Sequence, residues 1–284
     1  MSETRLSAST LLANFSLDMT WSDVGELDRV RVAVGPGSRV HVAFRDSDDL
    51  AARAGAARAA RRNGFVPVPI IAARRLESEG MLRELLSALQ SAQASGSVLV
   101  VGGDPAQPRG PYQDAVSVIG SGLLEACGVR QVSVAGYPGG HPVVADDVLW
   151  RALAAKDTAL EQLGLAGSVI TQFEFDPNLV LSWLADLRLR GVSLPVAVGV
   201  PGPASSRRLL GYASRCGVTV SPDVAREYGL SLSDPGRPAE PDRFVRALAS
   251  GYDRQLHGEV RLHFFTFGGL AATAEWVSHF LSRQ

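Results

Sequence analysis

Eight short aliphatic runs recur along this chain, and from the second onward each is followed by a stretch of helical periodicity. That alternation demands a parallel sheet with crossover helices. Strands are expected at residues 11–19, 39–44, 65–72, 98–102, 131–136, 168–173, 194–200 and 261–267. Helices are expected at 46–62, 76–94, 112–127, 146–163, 179–189, 205–216, 241–255 and 271–281, with 217–242 an insertion before the last strand. Within it, residues 218–221 read as a short strand and 231–240 as loop. Eight units in 284 residues suit a single α/β domain, a closed (β/α)8 TIM barrel over residues 1–284, better than an open doubly wound sheet. No G-x-G-x-x-G follows the first strand and no P-loop is present, so an ordinary dinucleotide-binding domain is not supported.

In such barrels chemistry sits at the carboxyl ends of the strands. Several runs end there in polar or glycine residues. The clearest is Val98-Leu-Val-Val-Gly-Gly-Asp-Pro105, a strand buried on both faces that stops at Gly102 and Gly103 and presents Asp104 at the mouth. The first run delivers Asp18, the fifth Tyr137-Pro-Gly-Gly-His141, and the sixth Thr171, Gln172, Glu174 and Asp176. Each has a plain structural alternative: Asp18 can cap a helix beginning near Trp21, and Tyr137 can bond a backbone group. Gln172 is harder to dismiss, because a buried amide without partners costs about 1–3 kcal/mol.

Composition narrows the partners. A net charge of −1 gives no global attraction to nucleic acid or acidic membranes. Cys127 and Cys216 lack metal-ligand spacing and read as buried thiols of a reducing compartment. No signal-peptide pattern opens the chain, and no apolar run approaches the ~20 residues of a membrane span. The expectation is a cytoplasmic protein acting on a small molecule, with a homo-oligomer left open.

The motifs together resemble a known family. Phe-Ser-Leu-Asp (15–18), Gly-Asp-Pro (103–105), Tyr-Pro-Gly-Gly-His-Pro (137–142), Ile-Thr-Gln-Phe-Glu-Phe-Asp (170–176) and His-Phe-Phe-Thr-Phe (263–267) follow the order and approximate spacing of methylenetetrahydrofolate reductases. The resemblance implies a (β/α)8 barrel that passes hydride between NAD(P)H and 5,10-methylenetetrahydrofolate through FAD, giving 5-methyltetrahydrofolate. By position it makes Asp18 the general acid on the folate and Asp104 the carboxylate that holds the pterin and faces the flavin. It places Gln172 on the folate and nicotinamide. It gives Gly103, Tyr137 and His141 to the flavin, and Lys156 to its pyrophosphate.

The chemistry is coherent. Opening the imidazolidine ring needs a proton donor near a folate nitrogen, and the resulting cation is stabilised by a fixed carboxylate. The sequence also departs from the family. Gly102-Gly103-Asp104 replaces Arg-Gly-Asp, Ala43-Phe44-Arg45 stands for a Thr-Tyr-Gly type, Pro69-Ile70-Ile71 for Pro-His-Leu, and Asp18 for a glutamate. These departures motivate two alternatives: an FAD-independent reductase using NAD(P)H directly or a deazaflavin, and a non-catalytic folate-binding protein.

Overall fold

The computed structural model describes residues 8–44, 49–231 and 233–283. The barrel strands are β1 (Ser16–Met19), β2 (Arg39–Val42), β3 (Val66–Ala72), β4 (Ser97–Val101), β5 (Gln131–Gly136), β6 (Ala166–Phe173), β7 (Val196–Pro201) and β8 (Val260–Phe265). They pair in sequence order, all parallel, and β1 closes the ring against β8 through Ser16 opposite His263 and Leu17 opposite Phe264. The expected (β/α)8 barrel is therefore the observed fold.

Period-two alternation divides the side chains between two cores. Val68, Leu99, Ile170 and Ala197 form a small cluster on the barrel axis, joined by the half-buried Ile70 and Val101. The opposite faces pack outward on the helices. In β8, for example, Phe264 is fully buried against Trp276, with ring centroids 5.5 Å apart. The helix Glu79–Ser91 shows the matching half: Leu82, Leu85, Leu86 and Leu89 recur at helical spacing and are buried. Ser78 caps it by accepting from the Met81 amide at 3.1 Å.

Several expected boundaries move, each for a local reason. Residues 8–11 form a helical turn, Ala8–Leu11, so β1 begins at Ser16 rather than at 11. The single helix expected over 112–127 is two, Ala115–Ile119 and Leu123–Ala126, because Gly122 adopts φ +73° between them. The helix expected over 241–255 is likewise divided into Asp242–Gly251 and Arg254–His257. Tyr252 is extended, and Asp253 caps the second piece by accepting from the Gln255 amide at 2.7 Å. No strand forms at 218–221; Ser221 instead caps the helix Pro222–Tyr228. The expected helix start at Asp46, and Arg45 before it, lie outside the described residues.

The insertion is tied to the carboxyl end of the barrel. Tyr228 donates to the Pro201 carbonyl at the end of β7 at 2.8 Å, and Pro238–Ala239 forms a two-residue antiparallel ribbon with Ala204–Ser205. The insertion thus stands beside the β7 end of the mouth.

Candidate active site at the carboxyl ends of the strands

Asp18 is not a helix cap. The 3-10 helix Trp21–Glu26 is closed by its own pair, in which the Thr20 amide and hydroxyl both donate to Asp23 Oδ2, at 2.6 and 2.8 Å. Asp18 lies opposite His41 in the β1–β2 register. Its Oδ1 is 3.2 Å from His263 Nε2 but is buried without a hydrogen-bond partner. Behind it, Ser16 Oγ and His263 Nδ1 are 2.9 Å apart. The His41 and His263 rings are 4.5 Å apart, each residue is 1 % exposed, and His41 Nδ1 is likewise unpartnered. Burial, reinforced by His263, Arg261 and Arg39, holds the His41 imidazole well below its ordinary pKa.

An aromatic shelf starts at this cluster. Phe265 is 5.0 Å from His263 and 5.3 Å from Phe173, and it stacks on Phe267. Phe267 in turn lies face to face with Tyr212 at 3.9 Å. Phe265 and Phe267 are half-buried. His263 thus links Asp18, whose side chain is 20 % exposed, to a run of mutually packed aromatic rings at the same end of the barrel. Gln172, at the end of β6, is half-buried, and its Oε1 accepts from the Phe173 amide at 3.1 Å.

Asp104 stands on the opposite rim, after β4. Its carboxylate takes a two-point contact from Arg75, at 2.8 and 2.6 Å, while its side chain remains 74 % exposed. That hydrogen-bonded guanidinium lowers the Asp104 pKa from its ordinary value. The cationic partner of Asp104 thus comes from the segment after β3. Gly103, at φ +92°, packs its Cα against Ala72, and a Cβ there would come within 3.2 Å of the Ala72 methyl.

The remaining expected residues gather after β5. Tyr137 is half-buried, with its ring edge-to-face on His141 at 5.3 Å. His141 Nδ1 accepts from the Val143 amide at 3.3 Å, and burial lowers its pKa. Lys156 is 8 % exposed, and its ammonium donates to the Ala135 carbonyl at 3.1 Å. Burial brings its pKa down to about 8.

A flavin pyrophosphate fits these surroundings poorly. Lys156 is committed inward rather than presented to a ligand. A cleft of about 360 Å³ beside Tyr137, Gly139 and Gly140 is lined by Trp150 and Trp183 and by the carboxylates Asp146 and Asp186, with no basic side chain in its wall. Glu174 presses its carboxylate on Gly139, and burial raises its pKa to about 7. Phosphate oxygens placed here would meet acids, not donors. The expected role of Lys156 on a pyrophosphate is therefore not supported by its position.

No family model matches the chain. Among solved structures it is similar to a D-psicose 3-epimerase determined in the presence of D-fructose, at 15 % identity and TM-score 0.48 over 95 % of this chain and 97 % of that one. It is also similar to a dihydropteroate synthase from Thermus thermophilus, at 15 % identity and TM-score 0.47 over 98 % and 96 %. At that distance neither bears on substrate or chemistry.

Asp18, Asp104, Tyr137 and Gln172 all lie at carboxyl ends of parallel strands, although Asp104 is turned to Arg75. Sequence reasoning did not single out His41 or His263. The signal was present: with period two, a histidine inside Arg-Val-His-Val or Leu-His-Phe-Phe shares a face with its i±2 neighbours. Asp176, by contrast, is a helix cap that accepts from the Asn178 amide at 2.8 Å.

Proposed function

We propose that this chain is a folate one-carbon oxidoreductase that interconverts 5,10-methylenetetrahydrofolate and 5-methyltetrahydrofolate, with hydride passing directly to or from NAD(P)H. One observation carries this reading: the Asp18–His263 pair beside the half-buried Phe265 and Phe267 rings. A reduced pterin is a flat, weakly polar ring, and it needs a stacking surface and a proton donor at one edge.

In the reducing direction a proton held at Asp18 goes to the folate nitrogen whose bond to the bridging carbon breaks. The other nitrogen becomes an iminium, and hydride from the nicotinamide adds to that carbon to give the methyl group. His263, 3.2 Å behind Asp18 and held by Ser16, resupplies the proton. Gln172 offers its amide nitrogen to the substrate while its oxygen is held by the Phe173 amide. Asp104, already paired with Arg75, serves as a hydrogen-bond acceptor for the pterin edge rather than as a bare charge.

The resemblance implies FAD, but the misfit at Lys156 and the acidic cleft favours the flavin-free route. The test is anaerobic oxidation of NAD(P)H by protein with and without 5,10-methylenetetrahydrofolate, alongside the visible spectrum of the purified protein. Folate-dependent oxidation by colourless protein supports the proposal. Flavin held at one per chain and required for turnover would replace it with the flavin route. Folate binding without turnover would reduce the protein to a binder.

A further inference from the structure

Asp18, His41 and His263 form, among the described residues, the one cluster of three potential metal ligands in which a donor atom of each lies within 4.8 Å of the others. We propose that this cluster is a binding site for a borderline divalent transition ion such as Zn²⁺ or Co²⁺, seated inside the barrel between β1, β2 and β8.

Two observations beyond proximity point to a ligand. Asp18 Oδ1 and His41 Nδ1 are both buried without hydrogen-bond partners, and a buried polar atom left so is destabilising. Oδ1 nevertheless sits 3.2 Å from His263 Nε2. A cation ligated by Asp18 Oδ1, and by His41 through Nδ1, would give both atoms a partner. Ligands about 2.0–2.2 Å from a zinc ion lie roughly 3–3.5 Å from one another, so the Asp18–His263 spacing already matches, and only His41 must close in.

The surroundings fit as well. A ligating histidine ordinarily has its second nitrogen held, and Ser16 Oγ does this for His263 Nδ1 at 2.9 Å. Two imidazoles and one carboxylate favour zinc, cobalt, nickel or iron over magnesium or calcium, which prefer all-oxygen sites. Arg39 and Arg261, close enough to act on His41, work against a cation. They set the affinity below that of a carboxylate-rich centre and further disfavour ions that bind by charge alone.

An ion here occupies the Asp18 carboxylate. On the proposed folate chemistry, loading would therefore inhibit turnover by removing the proton donor. The binding claim does not depend on that chemistry, and its test reads binding alone.

Protein stripped with chelator is titrated with Co²⁺ and followed by its visible absorption, with Zn²⁺ and Mg²⁺ titrated by calorimetry. The expected result is one Co²⁺ or Zn²⁺ per chain and no Mg²⁺. Affinity should fall at least ~10²-fold in His41→Ala and in Asp18→Asn, and stay unchanged in His141→Ala. Two ligand variants are used so that one failing to fold leaves the other informative. Absence of binding to folded wild-type protein overturns the proposal. So does equal affinity in wild type and in either folded ligand variant, which would place the ion elsewhere. Zn²⁺ inhibition of NAD(P)H oxidation is read separately, so failure of the folate chemistry leaves the binding result intact.

Discussion

At the scale of single residues the site turns on two carboxyls in opposite settings. Asp18 is the proposed proton donor. Asp18→Asn is expected to slow folate-dependent NAD(P)H oxidation by the ~10²–10⁴-fold of a lost general acid, with nicotinamide affinity little changed. Equal losses in rate and in nicotinamide binding would make Asp18 structural. Glu174 is 3 % exposed, and its pKa is raised from 4.5 to about 7, chiefly by burial. A carboxyl whose folded pKa is raised binds more protons folded than unfolded, so its contribution is full below pH 4.5 and is lost as pH rises through 7. The loss is on the order of 3 kcal/mol at most. Glu174→Gln should therefore gain stability on wild type above pH 7 and gain nothing below pH 4.5. Denaturant midpoints measured across that range decide it; a gain independent of pH would mean the charge is not what is removed. Asp18 and Gln172 were legible in the sequence because a polar side chain ends an apolar run. His41 and His263 were only half legible: the alternation of their strands puts each on a definite face, but that the two faces meet beside Asp18 follows only from the closure of β8 on β1.

At the scale of elements, what the sequence showed well was the rhythm, and what it showed poorly was where glycine and capping residues interrupt it. β5 and the helix Asp146–Gln162 appear almost as expected, because apolar periodicity runs unbroken through each. The divided helices at Gly122 and Tyr252 were hidden, since a glycine or aromatic residue inside a helical pattern is a break only when the backbone turns there. The 137–141 loop is the element that bears on the choice between the flavin and the flavin-free route. Gly139 has no side chain because Glu174 fills that space. Gly139→Ala should displace the Glu174 carboxyl, the movable end of a flexible side chain, at a modest cost of about 1 kcal/mol. Shortening the partner in Gly139→Ala/Glu174→Ser should recover much of that cost, a non-additivity expected of side chains in contact. Strictly additive losses in the double variant would show that the two residues do not share that space.

At the scale of the whole molecule the barrel mouth is polarised. Arg74, Arg75 and Arg109 stand around Asp104 after the end of β4, where Arg75 and Arg109 lower the Asp104 pKa, while Asp146 and Glu174 stand beside the loop after β5. An anionic substrate, whether a dinucleotide or the glutamate end of a folate, is expected to lie with its charge toward the arginines. Arg109, exposed and held by its backbone amide on the Arg74 carbonyl, tests this. Arg109→Ala should raise KM for the anionic substrate and weaken its salt dependence while leaving kcat nearly unchanged. A fall in kcat with KM constant would place Arg109 at the chemistry instead. The barrel itself was readable because eight repeats over one chain leave few other folds. The polarity of its mouth was not, because arginines scattered in sequence converge only on closure. In the proposed reaction Asp18, beside the aromatic rings, moves a proton while hydride passes directly between nicotinamide and folate. Its most direct measurement is stopped-flow oxidation of NAD(P)H by flavin-free protein mixed anaerobically with 5,10-methylenetetrahydrofolate, in wild type and Asp18→Asn. Oxidation in step with 5-methyltetrahydrofolate formation is expected in wild type, and the ~10²–10⁴-fold slowing in the variant. Folded wild-type protein that leaves NAD(P)H untouched until flavin is added would contradict the direct transfer.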